Sequence, residues 1–126
     1  MPDTCPTLRR DGDQIVILDQ TRLPWRETFV RLDSLDAAAA AIRDMQVRGA
    51  PLIGVTAAYG VALAMKESAD DAALSSAVDL LGATRPTAVN LQWALARVRA
   101  CLQPLPPAAR AAAAWFEAGR IAEEDV

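Results

Sequence analysis

The run from Pro51 to Met65 contains no charged residue, and its apolar side chains fall on every side of a helical wheel. A helix of that kind cannot lie on a surface, so other elements must surround it. It falls short of a bilayer span and includes Gly54, Thr56 and Gly60. The chain therefore reads as a bundle built round this one helix, expected to run to about Lys66. Each glycine costs about 1 kcal/mol relative to alanine in a helix interior. Gly54 and Gly60 should mark close approaches, either of another backbone, of a ligand or of two helices at a tight crossing.

The residues leading into that helix are Val47-Arg48-Gly49-Ala50-Pro51. Pro51 suits the first helical position, where its missing N–H and fixed φ cost nothing. Gly49 permits a backbone conformation closed to other residues and bares the amides there. Free N–H groups at the positive end of a helix dipole attract anions, and Arg48 adds a planar guanidinium fork. The pattern suits a grip on phosphate or carboxylate, or simply a helix start beside a solvated arginine. A second copy of the arrangement favours the grip. Arg85-Pro86-Thr87-Ala88-Val89-Asn90 again sets an arginine before a proline that is expected to open a helix to about Leu102. Leu91, Leu95, Val98 and Leu102 share one face of it. The two arginines could converge on one anion if their helices pack side by side.

At 126 residues the chain is one domain's worth. A net charge of −3 argues against a nucleic-acid surface, and the few aromatics argue against a base-stacking platform. There is no histidine, the commonest general base and metal ligand. Cys5 and Cys101 fit neither a disulfide framework nor a metal spacing. Cys101, on an apolar helix face, is expected in the core. The start of the chain lacks a secretory pattern. These features describe a cytoplasmic protein with no metal, no cofactor, and no nucleic-acid or membrane partner.

Residues 8–33 read as three strands. Ile15 to Leu18 pairs with Leu8 to Arg10 through an Asp11-Gly12-Asp13 turn, and Arg26 to Leu32 follows. A helix over 34–45 comes next, capped by Ser34 or Asp33, with Leu35, Ala38, Ala39, Ile42 and Met45 as its apolar stripe. Ala69 to Leu81 is expected as a helix ended near Gly82. Ala108 to Glu124 is expected as another, with Trp115, Phe116 and Ile121 as its packing face. Tyr59 and Trp93 read as core residues. Asp19, Asp44 and Asp125 read as solvated or capping acids, because a single carboxylate has no defined proton path. The pattern at Ile121 to Val126 stops in mid-helix and reads as a cut.

Leu18-Asp19-Gln20-Thr21-Arg22-Leu23-Pro24, Ala41 to Pro51, Ile53-Gly54, Ala57 to Gly60 and Arg85 to Ala94 resemble, in order and spacing, the N-terminal domain of methylthioribose-1-phosphate isomerases. The likeness runs over about residues 14–126. It implies an α+β fold: a small three-stranded antiparallel β-meander (about 8–33) packed on a bundle of about five helices (about 34–126). Residues 1–126 would then form the N-terminal domain of a two-domain protein whose Rossmann-like C-terminal domain is missing. The implied activity is aldose–ketose isomerisation of methylthioribose 1-phosphate in methionine salvage, by a homodimeric parent. Arg48, Gly49, Ala50 and Arg85 would bind the sugar phosphate. The family's catalytic cysteine and aspartate would lie beyond Val126, leaving this chain inactive alone. Ribose-1,5-bisphosphate isomerases and regulatory subunits of a translation initiation exchange factor share the superfamily and are the alternatives.

Overall fold

The computed structural model describes residues 8–12, 14–18, 29–44 and 50–124. Strands β1 (Leu8–Asp11), β2 (Gln14–Leu18) and β3 (Phe29–Leu32) precede five helices. These are α1 (Leu35–Arg43), α2 (Ala50–Glu67), α3 (Asp71–Thr84), α4 (Val89–Leu102) and α5 (Pro107–Glu124).

The strands form an antiparallel sheet in the order β1-β2-β3. Gly12, at φ 63°, supplies the positive φ of the tight turn after β1. Ile15 and Ile17 share one face of β2, and with Leu32 of β3 they are buried in the main core. A sheet this small needs such cover to persist. Residues 26–28, expected in the third strand, lie outside the described residues, as does Met45 of the α1 stripe.

Helix α1 starts as its sequence demands: the Ser34 hydroxyl accepts from the Ala37 N–H at 3.1 Å, with Asp36 in the first turn. Helix α2 occupies the centre, and every residue from Ile53 to Leu63 is buried. Its glycines mark helix crossings. A Cβ on Gly60 would stand 3.1 Å from both the Ala38 Cβ of α1 and a Leu81 methyl of α3. On the α5 side, the Tyr59 and Trp115 rings meet at a centroid distance of 5.6 Å and a tilt of 51°. Such a pair adds about 0.5–1.5 kcal/mol beyond the area it buries.

Three expectations are corrected. Helix α3 runs through Gly82 to Thr84, because an isolated glycine weakens a helix without ending it. Phe116 is 68% exposed: one residue along a helix is a turn of about 100°, which swings it away from buried Trp115. Trp93 is 51% exposed, with its ring centroid 5.4 Å from the Arg97 guanidinium carbon. Leu91, Ala94, Leu95 and Val98 form the buried face of α4, and Trp93 lies off it.

Candidate functional site

Of the four residues proposed to bind substrate, Arg48 and Gly49 lie outside the described residues. Ala50 is the first residue of α2, so the helix begins one position before Pro51. Pro51 still falls in the first turn, where an N–H would have no intrahelical acceptor. Arg85 is half-buried and follows the last residue of α3.

Arg85 sits in a different local structure from the one expected. Pro86 does not open α4; it opens a turn in which the Ala88 N–H donates to the Arg85 carbonyl at 3.0 Å. The helix starts three residues after Pro86, at Val89. The physical cause is Pro86 itself. Its ring disfavours helical backbone at the preceding residue, and Arg85 accordingly leaves the helical region at φ −147°, ψ 78°. This ends α3 and leaves Pro86 at the turn position that its fixed φ favours.

Helices α2 and α4 pack side by side close to their starts. A Cβ built on Gly54 would lie 3.1 Å from the Asn90 carbonyl oxygen and 3.4 Å from the Ala94 Cβ. The absence of a side chain at Gly54 allows this approach. Asn90 is in the first turn of α4, five residues after Arg85, and Gly54 is four residues after Ala50. Helices α2 and α4 therefore approach each other closely near their starts.

The helix ends differ electrostatically. The starts of α1 and α3 carry side-chain caps, from Ser34 and Asp70, and an acid in the first turn, Asp36 and Asp71. Helix α4 has no side-chain cap at Ala88, and neither α2 nor α4 has an acid in its first turn, a feature α5 shares. An acid or cap partly satisfies the positive end of a helix; α4 draws neither from its own cap residue or first turn.

Two polar arrangements elsewhere escaped the sequence reading. The buried Arg110 guanidinium donates to the carbonyls of Leu102 (3.0 Å), Ala69 (2.9 Å) and Gln103 (3.1 Å), and to the Asp71 carboxylate (2.6 Å). It fastens α5 to the end of α4 and the start of α3. The buried Glu117 accepts from Arg97 Nε at 2.5 Å, joining α5 to α4. The signal for both was charge on an apolar stripe: Arg110 and Glu117 fall on the face of α5 that carries Ala114, Ala118 and Ile121. Cys101 is a free, half-buried thiol and not the core residue expected. Its pKa is raised, first by burial and then by the Glu117 charge, against opposing pulls from Arg120 and Arg97. Among the described residues no cluster of His, Cys, Asp or Glu could hold a metal, and no helix is long and apolar enough to cross a membrane.

The Initiation factor 2 subunit family matches residues 46–117. The chain is similar to the methylthioribose-1-phosphate isomerase of Dechloromonas aromatica, at 62% identity over 95% of this chain and 34% of that protein. It is also similar to the one from Methylorubrum populi, at 60% identity over 91% of this chain and 32% of that protein. It thus spans about a third of these relatives. Among solved structures, 5-methylthioribose 1-phosphate isomerase from Pyrococcus horikoshii superposes with a TM-score of 0.86 at 32% identity, over 94% of this chain and 36% of that one. Subunit delta of translation initiation factor eIF-2B from A. fulgidus gives 0.87 at 33% identity, over 97% and 38%.

Proposed function

Because the chain belongs to the initiation factor 2 subunit family and is a homologue of methylthioribose-1-phosphate isomerases, we propose that it is the N-terminal portion of such an isomerase. The reaction is conversion of methylthioribose 1-phosphate to methylthioribulose 1-phosphate in methionine salvage. The observation that carries this reading is the 62% identity to an isomerase over nearly the whole chain. Fold alone does not choose between enzyme and initiation factor, since TM-scores of 0.86 and 0.87 are equivalent.

In this reading the portion holds the substrate's phosphate. Arg48, Gly49 and Ala50 supply a guanidinium and backbone amides at the start of α2, and Arg85 supplies a second guanidinium. The contact between Gly54 and Asn90 supports placing the two groups on one anion. Phosphate on C1 keeps the sugar from opening through loss of the anomeric proton, so hydrogen must move between C1 and C2 with help from charged groups. Those groups are assigned to the family's cysteine and aspartate in a Rossmann-like portion beyond Val126, within a cytoplasmic homodimer. The reaction takes no cofactor. A grip on phosphate lowers ground and transition states together and leaves the chemical step slow.

Calorimetric titration of the purified chain with methylthioribose 1-phosphate, and with methylthioribose lacking the phosphate, tests the assignment. Binding of the phosphorylated sugar alone is the expected result. Equal responses to the two sugars, or none to either, would remove the phosphate role from this portion.

A further inference from the structure

The Arg85 carbonyl is held from two sides. The Ala88 N–H closes the turn onto it at 3.0 Å. Gln92, in the first turn of α4, donates its side-chain Nε2 to the same oxygen at 3.4 Å and to the Gly82 carbonyl at 3.1 Å. Gly82 is among the last four residues of α3, whose carbonyls lack an intrahelical donor. The space for this amide comes from the glycine: a Cβ on Gly82 would stand 3.3 Å from Gln92 Oε1 and 3.8 Å from its Nε2. Glycine is a poor helix former, so its presence at this position suits the amide better than it suits the helix. Gln92 itself is exposed and adds nothing to the core.

We infer that Gln92 is a positioning residue for Arg85: its amide joins the end of α3 to the first turn of α4 and fixes the turn from which the guanidinium reaches phosphate. The role presupposes Arg85 as a phosphate ligand. A guanidinium binds an oxyanion best through a planar, two-point geometry. Backbone freedom removed before binding need not be removed during it, so a clamped turn binds more tightly than a loose one.

The test compares the purified full chain with its Gln92→Met, Gly82→Ala and Arg85→Ala variants, using methylthioribose 1-phosphate as the probe. Affinity is read by calorimetry, the melting midpoint by circular dichroism, and exchange of the Ala88 amide by NMR. Gln92→Met keeps the length and removes the donor. It should bind about threefold to tenfold more weakly, the loss expected for one hydrogen bond. Its Ala88 amide should exchange faster, while its melting midpoint falls only slightly because the lost bonds are exposed. Gly82→Ala should displace the amide while improving the helix, so its midpoint rises as its affinity falls. A merely structural role would move the two together. Parent affinity in Gln92→Met, with binding weakened in Arg85→Ala, overturns the positioning role and leaves Arg85 as the ligand. Parent affinity in Arg85→Ala overturns the ligand assignment and the role of Gln92 with it.

Discussion

The Arg110 guanidinium lies 2.6 Å from the Asp71 carboxylate, yet the two side chains occupy different media: Arg110 is 3% exposed and Asp71 87%. The pair should not be symmetric in its effect on stability. Three of the four Arg110 bonds go to backbone carbonyls, and the one to Leu102 is buried. Arg110→Met strands these acceptors and should destabilise the chain by about 2–4 kcal/mol. Asp71→Asn removes a carboxylate that water already solvates and should cost less than about 1 kcal/mol. Urea unfolding of the two variants measures both. Equal losses would mean that the ion pair, and not the carbonyl bonds, sets the energy.

Gly54→Ala should destabilise by about 1–3 kcal/mol despite alanine's better helix propensity. The new methyl would meet a backbone carbonyl, that of Asn90, which cannot rotate aside as a side chain can. A raised melting midpoint would show that α2 and α4 separate at little cost.

Arg48→Ala and Arg85→Ala should each weaken binding of methylthioribose 1-phosphate by about 1.5–3 kcal/mol in a full-length isomerase that carries this portion. Their effects should not add, since groups on one anion are coupled. Arg48→Lys should recover only part of the loss, because an ammonium lacks the planar fork. A double-mutant cycle that closes additively would assign the arginines to separate sites.

Cys101 should alkylate slowly. Burial and the Glu117 charge disfavour its thiolate, which is the reactive form, more than Arg120 and Arg97 favour it. In a Cys5→Ser background, the iodoacetamide rate should rise with pH through a midpoint above the ordinary thiol value. The linkage has the matching sign. The folded state prefers the protonated thiol, so this contribution to stability is complete below the unfolded pKa and fades as pH rises through the folded one. A rate at about pH 8 equal to that of an unstructured thiol would contradict this ordering.

The purified chain should not turn over methylthioribose 1-phosphate, since the phosphate grip proposed for its two arginines would not move a proton. Cys5→Ser and Cys101→Ser serve as controls. Turnover comparable to that of a complete isomerase, lost on changing either cysteine, would place the chemistry within these residues.

The sequence by itself determined the elements and which of them had to be central. An uncharged segment from Pro51 to Met65 had to be enclosed, and α2 is. Ser34 and Asp70 had the chemistry of caps, and both accept from first-turn amides. Such features depend on neighbours a few residues apart, so local physics is enough to read them. Only the tertiary structure decided what Gly54 and Gly60 approach, because periodicity names a face but not the partner that covers it. It also decided that the Arg85 carbonyl accepts from both the Ala88 N–H and the Gln92 amide. Pro86 reads as a helix opener, and the structure places it instead in a turn closed onto the Arg85 carbonyl. Arg110 shows the same division most sharply. As a letter on an apolar stripe it was an anomaly; its three carbonyl partners come from residues 69, 102 and 103, which only the fold brings to one guanidinium.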